Sequence, residues 1–154
     1  MAIHVTFVCL GNICRSPMAE AIFRHMVQQA GLDSQINASS CGTGSWHVGE
    51  QAHPGTRHVL RDHGIQCDHI ARKLSPHDLS EASYLVAMDN ENIEGIRLAG
   101  PTRAEVGLLL DYAPHVGIQE VPDPYYTNRF EEVFRLVEAG CAALLAHIRE
   151  KEGL

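Results

Sequence analysis

The chain predicts an α/β fold: a small parallel sheet covered by helices on both faces. Three observations carry this. Ile3–Val8 is a short apolar run rich in β-branched residues that leads through a tight loop into a helical segment. A second buried-strand pattern, Tyr84–Met88, is likewise followed by a helix starting near Asp89. The last segment keeps Phe130, Val133, Phe134, Val137, Cys141, Leu144, Leu145 and Ile148 on one apolar face for about five turns.

The elements between follow in order. Ser16-Pro17 opens the first helix, with Ser16 as its cap and Pro17 where no N–H is needed. Met18, Ile22 and Met26 recur on one face, and Gly31 stops the run. Asn37–Cys41 is a candidate strand leading into the Gly-rich loop Gly42–Gly49. Pro54–His63 is helical, stopped by Gly64. Ile70–Leu74 is a short extended stretch, and Ser75-Pro76 repeats the cap-plus-proline signal for a brief helix. Val106–Leu110 is apolar enough for a strand, and residues 110–128 form the longest structure-poor stretch.

With 154 residues and 45% hydrophobic residues, the chain is expected to form one domain, 1–154, with a real core. A net charge of -7 with no Lys/Arg run argues against nucleic acid, but not against one anion held by local dipoles. The five cysteines are odd in number and contain no CxxC pair, which suits free thiols in a reducing compartment. Met1–Val5 has no basic leader pattern and no run reaches membrane length, so a cytoplasmic protein with no membrane partner is expected. The ten histidines form no metal-ligand spacing, so no metal or other cofactor is expected.

The chemistry lies in Cys9-Leu10-Gly11-Asn12-Ile13-Cys14-Arg15-Ser16-Pro17. Five residues separate Cys9 from Arg15, at a strand-to-helix joint. A loop of that length can wrap its N–H groups around a tetrahedral oxyanion, with the thiol below and the guanidinium gripping two oxygens. The helix dipole, the N–H nest, Arg15 and the Ser16 hydroxyl all favour the thiolate, the nucleophilic form. Gly11 and Asn12 suit left-handed backbone angles. A buried structural cysteine would explain Cys9 alone, without its neighbours. By itself the loop leaves phosphatase and arsenate chemistry open.

This stretch resembles the signature of the low-molecular-weight protein tyrosine phosphatases, and the resemblance runs from Ile3 to the final helix. It implies a flavodoxin-like three-layer sandwich with a four-stranded parallel sheet. It also implies that Asp123, in Asp123-Pro124, is the general acid; alone, Asp-Pro reads as a turn. The chemistry needs such a group, because a phenolate of pKa about 10 leaves slowly unless protonated. The same likeness implies catalytic Cys9, Arg15 and Asp123, phosphate binding by residues 10–16, and a phosphocysteine intermediate. Ser40 and His69 are implied to pin Asn12 and so align Ser16. Cys14 is implied to form a reversible disulfide with Cys9 under peroxide.

Leu10, Ile13, Trp46, Tyr125 and Tyr126 are candidates for the pocket mouth, where aromatic walls suit a phenyl phosphate and a deep slot excludes phosphoserine. The expected partner is a phosphotyrosine protein or small aryl phosphate, with inorganic phosphate as product. A related branch that acts on phosphoarginine carries threonine in place of Ile13. The related thioredoxin-coupled arsenate reductases need two further cysteines past mid-chain, whereas none lies between Ala71 and Gly140. A protein arginine phosphatase, a non-catalytic phosphate binder and a thiol redox protein using Cys9 and Cys14 remain the alternatives.

Overall fold

Four strands pair in parallel in the order β2-β1-β3-β4 in a computed structural model of the chain. It describes residues 2–154; Met1, included in the leader and domain readings, lies outside the described residues. The strands are β1 (Ile3–Cys9), β2 (Ile36–Gly42), β3 (Tyr84–Ala87) and β4 (Glu105–Leu108). The helices are α1 (Arg15–Gln29), α2 (Pro54–Asp62), α3 (Pro76–Glu81), α4 (Asn90–Ala99), α5 (Pro124–Thr127) and α6 (Phe130–Glu152).

Alternation along β1 divides the core in two. Val5, Phe7 and Cys9 face a large apolar cluster built with α1, α2 and α6. Val8 faces a smaller one with Leu79, Ala82, Leu85, Ala87, Ile96 and Leu108. The sheet is therefore covered on both sides, as expected. All eight apolar residues named on α6 are buried. Because β1 has β2 on one side and β3 on the other, its carboxyl end is the topological switch point, where α/β folds leave a crevice.

Two local readings are corrected, the Ser16 cap and the extent of the Val106–Leu110 strand. Ser16 does not cap α1: the N-cap is Cys14, without a side-chain hydrogen bond, because the Ser16 hydroxyl is engaged within the loop. The extended stretch Ile70–Leu74 forms only isolated bridges: Ile70 bridges Gln51 and Lys73 bridges Gly42, while the Arg72 N–H is drawn to the Asn12 side chain. β4 stops at Leu108, and Leu109–Tyr112 turn into a 3-10 helix. Leu109 and Leu110 are apolar because they are buried in the large cluster, not because they extend the strand. The structure-poor stretch 110–128 holds a second 3-10 turn, Pro114–Val116, and the four-residue α5.

Candidate active site

The loop after β1 closes around a sulfur. Cys9 is 3% exposed, and its Sγ accepts the Asn12 N–H at 3.2 Å. Ser16 Oγ lies 3.0 Å from the same sulfur. Asn12 Nδ2 donates to Ser16 Oγ at 2.8 Å, which turns the hydroxyl proton toward sulfur. Two donors are thus aimed at one sulfur.

Asn12 makes the tight turn possible. Its φ of 58° is left-handed, which asparagine tolerates better than most residues but still at a cost. The surroundings hold it on every side. Nδ2 also donates to Ser40 Oγ at 3.0 Å, Oδ1 accepts the Arg72 N–H at 2.9 Å, and the carbonyl lies 2.8 Å from His69 Nε2. Ser40 and His69 thus meet at the loop asparagine. Behind them Glu20 accepts from Ser40 Oγ at 2.6 Å and lies 3.8 Å from His69 Nδ1.

Arg15 starts α1 and is 3% exposed. Its Nη1 donates to Asp89 Oδ2 at 2.7 Å and to the Val121 carbonyl at 2.9 Å. Among the described residues no acceptor takes a hydrogen bond from Nε or Nη2, so that edge of the guanidinium is left to an anion. Burial weakens its hold on the proton, but the Cys9 sulfur, Asp89 and Asp123 outweigh this and keep it charged.

Asp123 forms the turn expected of Asp-Pro and also reaches the loop. Oδ1 caps α5 by accepting the Tyr125 N–H at 3.1 Å, while Oδ2 faces Arg15 Nη2 at 3.6 Å. The turn is what aims the carboxyl.

Cys9, Leu10, Gly11, Ile13, Cys14, Arg15, Trp46, His47, Asp123, Tyr125 and Tyr126 line one cavity of about 390 Å³. All five pocket candidates are among them. Trp46 is 72% exposed and Tyr126 78%, so neither is packing the core. Asn12 and Ser16 do not line the cavity; they brace the loop from behind. Cys14 is a free thiol at 4% exposure, and burial, then Asp123 and Cys9, push its pKa up to about 12. It is protonated at neutral pH.

Asp89, Glu20 and His47 were not anticipated. Asp89 carries one legible signal: with Asn92 it forms the capping box of α4, which marks a helix start but not a grip on Arg15. His47 is set beside the loop because Gly11 has no side chain; a Cβ there would lie 3.0 Å from the imidazole Cδ2.

Comparison with known proteins gives the family. Residues 4–153 match the family model for low molecular weight phosphotyrosine protein phosphatases. The low molecular weight protein-tyrosine-phosphatase YfkJ of Bacillus subtilis is 49% identical over 155 residues, covering 99% of each chain. The crystal structure of YfkJ has a TM-score of 0.95 at 47% identity, covering 98% of this chain and 97% of that one. The low molecular weight protein-tyrosine-phosphatase of Streptomyces coelicolor is 48% identical over 158 residues, covering 98% of this chain and 96% of its own. A drosophila arginine phosphatase, DARP, is similar at a TM-score of 0.88 and 31% identity, covering 94% of this chain and 97% of that one. The chain belongs to the low-molecular-weight phosphotyrosine protein phosphatases. Its activity is the hydrolysis of phosphotyrosine, a phosphoric monoester.

Proposed function

We propose that the chain, as one domain over residues 1–154, hydrolyses phosphotyrosine in two steps through Cys9. The Cys9 thiolate attacks phosphorus in line; an S–P bond forms as the P–O bond to the phenol breaks. Asp123 gives its proton to the departing phenol oxygen. Arg15 and the N–H groups of residues 10–16 hold the equatorial oxygens. Water then attacks phosphorus, Asp123 takes its proton, the S–P bond breaks, and inorganic phosphate leaves. Arg15 and the backbone provide the positive charge, so the mechanism calls for no cofactor.

One observation carries this reading: the Cys9 sulfur lies at the floor of a cavity that Arg15 and Asp123 share, with their side chains 3.6 Å apart. Hydrolysis of an aryl phosphate by wild type, Cys9→Ser and Asp123→Ala tests it. Cys9→Ser is expected to lose turnover yet still bind phosphate. Asp123→Ala is expected to lose most with leaving groups of high pKa; equal losses across leaving groups would contradict its role as acid.

Substrates are phosphotyrosine proteins or small aryl phosphates, with no nucleic-acid or membrane partner. Among the described residues no helix is long and apolar enough to cross a membrane, which suits a cytoplasmic enzyme. Apolar Ile13 on the cavity wall favours a phenyl ring over a guanidinium. Phosphotyrosine peptides should therefore be hydrolysed faster than matched phosphoarginine peptides; the reverse order would favour an arginine phosphatase. Cys14, beside Cys9 in the same loop, is read as the resolving thiol. If peroxide-treated Cys14→Ser recovers with reductant as fully as wild type, that role is wrong.

A further inference from the structure

We propose that Glu120 is a positioning residue for the acid step, clamping the Asp123 loop onto the N-terminus of α4. The inference rests on the reading of Asp123 as the general acid.

Asp123 lies between Pro122 and Pro124. Two prolines fix φ on either side of it and remove two N–H groups that could have tied this stretch to the body of the protein. The segment is therefore stiff but must be anchored from its ends. Downstream, α5 is only four residues long, and Tyr125 and Tyr126 at its start are exposed. The Tyr125 N–H aims the carboxyl from the downstream side, and the upstream end must hold the segment that carries it.

Two residues provide that anchor. The buried Val121 donates its N–H to the Met88 carbonyl at 2.9 Å, and its own carbonyl accepts from Arg15 Nη1 at 2.9 Å. Glu120 Oε2 accepts the Asn90 N–H at 2.8 Å. Asn90 is the first residue of α4, so the carboxylate meets an unpaired donor and the positive end of a ten-residue helix. Met88 and Asn90 flank Asp89, which holds Arg15. Glu120 thus registers the acid against the same turn that orients the arginine.

Upstream of Glu120 the chain is loosely held. Gly117 has a φ of 88°, Ile118 is 44% exposed, and among the described residues no hydrogen bond holds Ile118 or Gln119. Without the Glu120 clamp, Val121 would hold the upstream end alone. A small rotation there carries through the stiff segment to Asp123, and misplacement of a reacting group by about 1 Å can cost up to a hundredfold in rate.

The test is kcat/KM, which reports the step in which the leaving group departs, across aryl phosphates whose phenols span a range of pKa. Wild type, Glu120→Ala, Glu120→Gln and Asp123→Ala are compared. Glu120→Ala is expected to lose roughly tenfold with phosphotyrosine, but less than about twofold with the most acidic phenols. Its dependence on leaving-group pKa therefore steepens. Glu120→Gln, which keeps an oxygen acceptor, should fall between the alanine variant and wild type. A mere loss of folded protein would lower every substrate alike. If Glu120→Ala runs parallel to wild type while Asp123→Ala is steep, the inference is overturned and the acid assignment stands. The same holds if Glu120→Gln falls as far as alanine. If Asp123→Ala itself runs parallel to wild type, the acid assignment fails first.

Discussion

Asn12 shows how one side chain can hold a catalytic loop. Its left-handed backbone is kept by hydrogen bonds to Ser16, Ser40, His69 and the Arg72 N–H. Asn12→Ala removes the three side-chain ties, to Ser16, Ser40 and the Arg72 N–H, and leaves only the backbone tie to His69 at a positive φ, so activity should fall more than stability; equal losses in kcat/KM and unfolding free energy would deny the loop a functional role. Asp89 presents a parallel case. Asp89→Ala removes a 2.7 Å ionic hydrogen bond to the buried Arg15 and the cap of α4. Chemical denaturation should show a loss of about 1.5–3 kcal/mol. Asp89→Asn keeps an acceptor for the cap and should lose less; if both variants unfold like wild type, Arg15 is held by Val121 alone. Cys9 and Arg15 stand out as candidates because they share one short loop; Asp123 is reached only through the family resemblance, since Asp-Pro alone reads as a turn. Asp89 and Glu20 stand out in neither way. Asp89 meets Arg15 across 74 residues and Glu20 meets Ser40 across 20, and no local pattern encodes those meetings.

Strands and helices were legible wherever periodicity and punctuation agreed. α6 was read from its apolar face, and α3 from Ser75-Pro76, which forms a capping box with Asp78. The errors came where tertiary contact overrode a local pattern. Val106–Leu110 is uniformly apolar, yet its last two residues curl into a 3-10 turn that packs beneath α6. Gly140 on α6 shows how close that packing is: a Cβ there would lie 2.6 Å from Leu109 Cγ. Gly140→Ala should therefore destabilise the protein by about 1–3 kcal/mol through overpacking, with kcat/KM per folded molecule unchanged. An unchanged melting temperature would mean that Leu109 yields freely. Gly44 plays the matching role at the site, because a Cβ there would lie 1.8 Å from the Trp46 ring. Gly44→Ala should displace Trp46 and lower kcat/KM for phosphotyrosine peptides several-fold without altering the loop; indifference of the peptide rate would remove Trp46 from the pocket wall.

Across the whole molecule, the α/β architecture follows from the alternation of strands and helices, and the parallel order β2-β1-β3-β4 places the Cys9 loop at the switch point. The order itself was not written in any local pattern; it depends on which strands meet in space. Burial also sets the response to alkali. It raises the Cys14 thiol to about 12 and moves the Cys41 and Cys141 thiols upward as well, from an ordinary 9.0. These groups stay protonated in the fold after the unfolded chain has released its protons. Their contribution to stability is full below about pH 9 and falls as pH rises above it. Melting temperature should hold through neutral pH and drop above pH 9, with Cys41→Ala lessening the slope; a flat profile to pH 11 would contradict this. The central claim is covalent chemistry at Cys9, and rapid acid quench during turnover of phosphotyrosine, followed by peptide mass spectrometry, tests it most directly. The phosphoryl group should be found on the Cys9 sulfur and be absent from Cys9→Ser. Phosphate on another residue, or undiminished turnover by Cys9→Ser, would contradict it.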